Sequence, residues 1–209
     1  GREHRWNEEE MSKDRAFMVA DPTLTFILIR ANKDLSFMMS ALGMDTSDVD
    51  EWTERLVKGT NSLRNPETGL FNAINLRTGE HTGHITSATF LVWYAGIEDD
   101  ASLKAIRKEL ADNTYPIPSL VKSSPLFDGM RYWRGPTWAI MNAIIGIGLQ
   151  DMGHLEEAET LRARTRDLIA EHGFAEYFHP ESGTPAGGGT FSWTAAVWLA
   201  WASSSAGDK

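Results

Sequence analysis

Cysteine is missing from all 209 residues, which removes disulfides and any thiol nucleophile from consideration and leaves the redox compartment undecided. Basic charge is scarce as well. The 20 Lys and Arg stand against 29 Asp and Glu, a formal charge of -9, and no cluster of cations along one face overrides that sign. A phosphate backbone would be repelled, so nucleic acid is not an expected partner. Long hydrophobic runs are also absent: the apolar stretch at 138–149 falls short of the ~20 residues that span a bilayer, and the polar opening at 1–14 has no signal-peptide core. The expectation is a cytoplasmic chain with no membrane partner.

What is present is enough apolar material for a substantial core, 42% of the residues, and eight tryptophans. One domain is expected over 17–203, preceded by a polar segment at 1–16 and followed by a polar tail at 204–209. Tryptophan joins a large apolar face to a donor that wants a partner, a combination common in sugar-binding clefts.

Hydrophobic periodicity predicts seven helices. Asp21 as N-cap and Pro22 at the first helical position open one that places Leu24, Ile27, Leu28, Ala31, Leu35, Met38, Met39 and Leu42 on one face, until Gly43 stops it. Striped, charged helices follow near Ser47, at 100–112 and at 154–173; helices apolar on every side are expected at 87–96, 136–153 and 192–202. A helix apolar all round must be surrounded by protein, and a striped one covers it from outside, so the alternation describes an all-α, double-layered toroid. Links from a buried helix to the next striped one are short. The returns at 65–86, 113–135 and 174–191 are each roughly twenty residues, against a usual ~4–6, and should emerge together on one face that carries the function. Two of them contain an echo, Asn65-Pro-Glu-Thr-Gly and His179-Pro-Glu-Ser-Gly, each a Pro-initiated turn closed by glycine.

Chemistry concentrates in those loops. Tyr132, Trp133, Arg134 and Trp138 lie at the mouth of the 136–153 helix, where aromatic faces and a guanidinium suit the C–H faces and hydroxyls of a pyranose; the alternative is that the rings wedge helices together. Glu176 follows a striped helix in Phe-Ala-Glu-Tyr-Phe-His-Pro, ahead of Gly187, Gly188 and Gly189 and of Trp193. A carboxylate among rings is partly desolvated, which favours a base able to activate water, though a plain capping carboxylate would also fit the spacing. The glycines follow no strand and precede no Lys-Ser or Lys-Thr pair, so they are no phosphate loop and instead let backbone approach the pocket. His81 and His84 form an HxxH on a loop without a third ligand nearby, a poor metal site. No metal or cofactor is expected.

Taken together, Tyr-Trp-Arg-Gly-Pro-Thr-Trp at 132–138, Phe-Ala-Glu-Tyr-Phe-His-Pro at 174–180 and Phe-Ser-Trp-Thr-Ala at 191–195 resemble glycoside hydrolase family 63 and its (α/α)6 catalytic domains. Ala-Asp-Pro at 20–22 and Arg-Ala-Asn-Lys-Asp-Leu at 30–35 are similar to its mannosylglycerate and glucosylglycerate hydrolase branch. The resemblance covers nearly the whole chain. It implies an inverting attack on a small α-glucoside or α-mannoside, with Glu176 matching the general base and Tyr132, Trp133 and Trp138, with Arg134 and Trp193 beside them, lining the sugar pocket. The four buried and three striped helices are about half of the six and six that such a barrel needs. The family's general-acid Asp lies in the earlier part, and neither Asp21 nor Asp128 occupies its motif. The chain is thus expected to need a complementary N-terminal half or a second copy to be active. Two alternatives stay open: a non-catalytic carbohydrate-binding remnant, and a helical scaffold in which every ring is core.

Overall fold

The computed structural model describes residues 18–203 together with Asn7, Glu9 and Lys13; the segment expected at 1–16 and the tail at 204–209 otherwise lie outside the described residues. Asp21 and Pro22 open helix α1 (Pro22–Ala41) as their chemistry dictates. The Asp21 carboxylate accepts from the Thr23 N–H at 2.9 Å, and proline takes a first-turn position that has no amide partner to lose. Then follow α2 (Ser47–Gly59), a 3-10 helix at Ser87–Val92, α3 (Asp100–Asp112), α4 (Ala139–Asp151), α5 (Leu155–His172) and α6 (Ser192–Val197), which runs on into a π turn at Trp198–Ala202. The sheet content is slight: β1 (Val19–Ala20) pairs with β2 (Ile74–Asn75), and β3 (Tyr177–Phe178) with β4 (Pro185–Ala186), both antiparallel.

The helices occupy the seven places that the sequence marks, in two layers. α1, the 3-10 helix, α4 and α6 neighbour one another in that order, while α2, α3 and α5 cover the first three from outside. One continuous core fills the space between the layers, with Phe26, Phe90, Trp93, Ile106, Ile145 and Leu161 among its fully buried members. α4 can sit at its centre because two of its residues lack side chains. A Cβ on Gly148 would lie 2.3 Å from the Tyr94 amide nitrogen, and one on Gly146 2.4 Å from the Trp201 ring.

Three details differ from expectation. The 87–96 segment is a 3-10 helix followed by turns rather than an α-helix: the capping box of Thr86 and Thr89 opens it, and Lys33 closes it by donating to the Ala95 and Gly96 carbonyls. The helix expected from 136 starts at Ala139, because Thr137 is drawn out as an extended residue bridged to both Pro118 and Phe178. Finally, α1 buries Phe26 and Ile29 and leaves its predicted stripe outside, with Leu24, Leu28, Met38 and Leu42 all exposed. The stripe is real, but nothing among the described residues covers it.

One core group carries a pH dependence. Glu109 in α3 is buried, and that burial pushes its carboxyl above the ordinary glutamate range despite a hydrogen bond from Asn113 Nδ2 at 3.1 Å. A raised folded pKa means that the favourable protonated state is fully populated below the ordinary value of ~4.3 and is lost as pH rises through the folded value. Glu109→Gln, which keeps the acceptor and removes the charge, should therefore be more stable than wild type at neutral and alkaline pH, with the advantage shrinking towards pH 4. Urea unfolding at both pH values measures it; equal differences at the two would sink the argument.

Candidate active site

The three long returns do come together on one face, laced by backbone pairing. Thr86 bridges Leu120, Pro118 bridges Thr137, Thr137 bridges Phe178, and Phe178 pairs with Pro185, so each loop is a rung for the next. Local turns brace the ribbon. In Asn65-Pro-Glu-Thr-Gly69 and His179-Pro-Glu-Ser-Gly183 the glycine, at φ 72° and 69°, donates to the carbonyl of the first residue, whose side chain accepts from the amide two residues on. Asn75-Leu-Arg-Thr-Gly79 repeats the same bonds. It has no proline and was not marked by the sequence; the shared signal is Asn or His, then Thr or Ser at the fourth place and Gly at the fifth.

Glu176 stands at the start of the β3–β4 hairpin, half-buried, its amide donating to the Ala186 carbonyl at 3.1 Å. The register that pairs Tyr177 with Ala186 sets Gly187 across from it. On the opposite side of β3, Thr137 exchanges backbone bonds with Phe178 at 2.8 and 3.0 Å, which brings the 132–138 segment alongside. The Tyr132 hydroxyl donates to Glu176 Oε1 at 2.9 Å, and that bond to a carboxylate holds the phenol above its usual pKa range. Tyr132 has a φ of 41°, a left-handed conformation that costs a non-glycine residue ~1–2 kcal/mol. Its carbonyl accepts from the Trp138 indole N–H at 3.1 Å, one of the contacts that fix the strained turn.

The rings around this carboxylate form one cluster. Trp133 stacks on Trp138 with centroids 4.0 Å apart and planes 3° from parallel, Tyr177 lies on Trp138 at 5.3 Å, and Tyr132 meets Trp138 and Tyr177 edge-on at 5.1 and 5.5 Å. Within it the residues differ sharply in exposure. Trp138 is 2% exposed, whereas Trp133 and Tyr132 are 44% and 50% exposed and present ring surface to the outside. The cluster thus has a buried base and an open rim, with Glu176 at the rim.

The remaining candidates are placed less centrally. Arg134 lies in the same turn with its guanidinium 4.0 Å from the Asp128 carboxylate, and Trp193 is exposed with its ring 5.6 Å from Phe191, outside the cluster. Asp21 caps α1 and Asp128 accepts from the Met130 amide, so each serves its own turn. His81 bonds the Ser62 carbonyl and His84 approaches Ser124 Oγ; no group of three metal-ligating side chains occurs among the described residues. Nor is any helix among them long and apolar enough to cross a membrane. Gly187 was visible only as one of three glycines: an added Cβ there would lie 2.3 Å from Glu176 Oε2, whereas Gly188 and Gly189 have nothing within 4 Å. A separate cavity of about 670 Å³ opens between α1 and α2, lined by Leu28, Asn32, Trp52, Arg55 and Leu56 among others and sharing no residue with the Glu176 cluster.

Comparison with known proteins gives the family and agrees with the helical fold. Residues 1–194 match the family described as the mannosylglycerate hydrolase MGH1-like glycoside hydrolase domain. The chain is 36% identical over 202 residues to mannosylglycerate hydrolase MGH1 of Selaginella moellendorffii, covering 94% of this chain and 41% of that one. It is 37% identical over 189 residues to the mannosylglycerate hydrolase of Thermus thermophilus, covering 88% and 46%. The crystal structure of a GH63 mannosylglycerate hydrolase, also from Thermus thermophilus, superposes with a TM-score of 0.88 at 33% identity over 95% of this chain and 51% of that one; it has been solved with glucose and also with Tris and D-glycerate. The chain therefore spans less than half the length of the curated relatives it matches.

Proposed function

The chain belongs to the mannosylglycerate hydrolase MGH1-like glycoside hydrolase family, and from that premise we propose that it is the base-bearing half of an inverting α-glycosidase. Glu176 is the general base that draws a proton from water, the rim of Tyr132 and Trp133 receives the sugar, and Trp138 supports both from beneath. The single observation that carries this reading is the Glu176 carboxylate at the open edge of the ring cluster, held by Tyr132 at 2.9 Å. A pyranose needs an apolar face beside an oriented acceptor, and the rim supplies both. Arg134, in the same turn as Tyr132, and Trp193, which lies outside the ring cluster, are further sugar contacts in this reading.

The substrate is a small α-mannoside or α-glucoside, with glycerate as the aglycone carried over from the relatives' names and ligands. Inversion needs a second carboxyl about 6.5–9.5 Å from the base so that water fits between them. Asp21 caps α1 and Asp128 accepts from the Met130 amide, and neither matches the family's general-acid motif; the resemblance to family 63 implies that the acid belongs to an earlier part of the toroid. The surface for that part is exposed: Leu24, Leu28, Phe37, Met38 and Trp52 at the α1–α2 end and Trp193 and Leu199 at the other. A complementary half, from a longer parent, a separate chain or a second copy, packs there.

The missing acid and the coverage of under half of each relative favour a second reading for the chain alone, a carbohydrate-binding unit without turnover. A proton NMR time course with mannosylglycerate, glucosylglycerate and simple α-glycosides separates the two. Turnover releasing the β-anomer first supports the inverting hydrolase, α-anomer release contradicts it, and ligand line-broadening without turnover supports the binding unit.

A further inference from the structure

The geometry points to Tyr132 and Gly187 as a two-sided clamp that sets the Glu176 carboxylate, both acting as positioning residues through Glu176. The inference rests on the reading of Glu176 as base, but its physical content is independent of turnover. Three extended segments meet here. The register of β3 and β4 brings Gly187 opposite Glu176 on one side, and the Thr137–Phe178 pairing brings Tyr132 from the other. Tyr132 fixes Oε1 by a hydrogen bond of 2.9 Å, and Gly187 presents its bare Cα to the opposite oxygen and to the stem. A side chain on Gly187 would stand 2.3 Å from Oε2, 2.5 Å from the Glu176 Cβ and 3.1 Å from its Cδ. No rotation of the glutamate removes the contact with its own Cβ.

Both partners take left-handed backbone conformations. Gly187 has a φ of 76°, and Tyr132 a φ of 41° with its carbonyl fixed by Trp138. Glycine adopts this conformation at no steric cost, whereas at Tyr132 it is strain, a cost that the surrounding structure must over-determine. Its effect is a single rotamer for Glu176, with Oε1 committed to Tyr132 and Oε2 left for water. The adjacent glycines divide cleanly from Gly187: Gly189 has open space around it and no left-handed φ, so its substitution is a matched control.

The test is a 13Cζ-tyrosine NMR titration of the full chain, which carries four tyrosines. Loss of one resonance in Tyr132→Phe assigns Tyr132 and separates it from Tyr115, whose phenol is pushed up to about 12 by its bond to Glu171. The Tyr132 resonance should titrate at lower pH in Glu176→Gln and also in Gly187→Ala, where the carboxylate is present but displaced, and should stay at the wild-type midpoint in Gly189→Ala. A Gly187→Ala protein that keeps the wild-type midpoint overturns the proposal. If that variant fails to fold, Gly187→Asn, which tolerates left-handed φ and still carries a Cβ, takes its place with the same two outcomes. Where turnover is measured, Gly187→Ala should lower kcat about a hundredfold with KM changed by less than about twofold, the scale of a ~1 Å misplacement. The expected titration shifts in Glu176→Gln and Gly187→Ala, together with unimpaired turnover in Glu176→Gln, would remove the base assignment and leave the clamp standing.

Discussion

Glu176→Gln should reduce kcat for α-glycoside hydrolysis by about 10²–10⁴-fold in a toroid that includes the acid-bearing half, with KM and thermal stability close to wild type. The substitution keeps the volume of the side chain and an oxygen that can still accept from the Tyr132 hydroxyl, so the clamp and the ring cluster have no reason to move. What it removes is the lone pair basic enough to take a proton from water. An interaction needed only in the transition state shows as a fall in kcat, not as a rise in KM. Initial rates by NMR, read together with a melting curve, make the comparison. A variant within about threefold of wild type would place the base elsewhere and reduce Glu176 to a capping carboxylate.

How much of this was legible in the sequence depends on the range of the interaction involved. Helix starts are local chemistry, and Asp21-Pro22 is legible because cap and first turn lie within three residues. The alternation of buried and striped helices was legible because each helix states its own surroundings through its pattern, as α4 and α5 do. The 87–96 segment was not resolved between α and 3-10, since a run apolar on all sides has no face from which to count a period. The inward side of α1 is obscured for the opposite reason. Its broad stripe of Leu24, Leu28 and Met38 dominates the pattern, yet the residues that meet this chain's own core are Phe26 and Ile29.

At the site, the residue types were visible and their relations were not. Tyr132, Trp133 and Trp138 were marked as a group, but nothing in their spacing of one and five residues says that Trp138 lies beneath and the other two at the rim. The bond from Tyr132 to Glu176 crosses 44 positions and depends on three extended segments pairing in one register. Gly187 belongs to the same class. Its role follows from being opposite Glu176 in a hairpin, and a glycine triplet does not say which of its members faces a carboxylate.

That division of the ring cluster into base and rim makes the two tryptophans behave in opposite ways. Trp138→Ala should cost ~3–5 kcal/mol of stability, the range for truncating a buried aromatic. In a chain of this size that is a fall of roughly 6–20 °C in Tm. The indole is enclosed by Trp133 and Tyr177 and donates to the Tyr132 carbonyl, so its loss leaves a cavity, unstacks two rings and releases the strained turn that presents the Tyr132 hydroxyl to Glu176. Trp133→Ala removes a half-exposed ring with one stacked partner and should cost only about 0.5–1.5 kcal/mol, while taking away the outer face on which a sugar would lie. Denaturant unfolding of both variants, paired with ligand line-broadening, reads stability and binding separately. Stability lost mainly in the first and binding lost mainly in the second is the signature of a subsite built on a core residue. Equal, large destabilisation in both, with no sugar binding by wild type, would mean that the rings are all core and that the face has no sugar site.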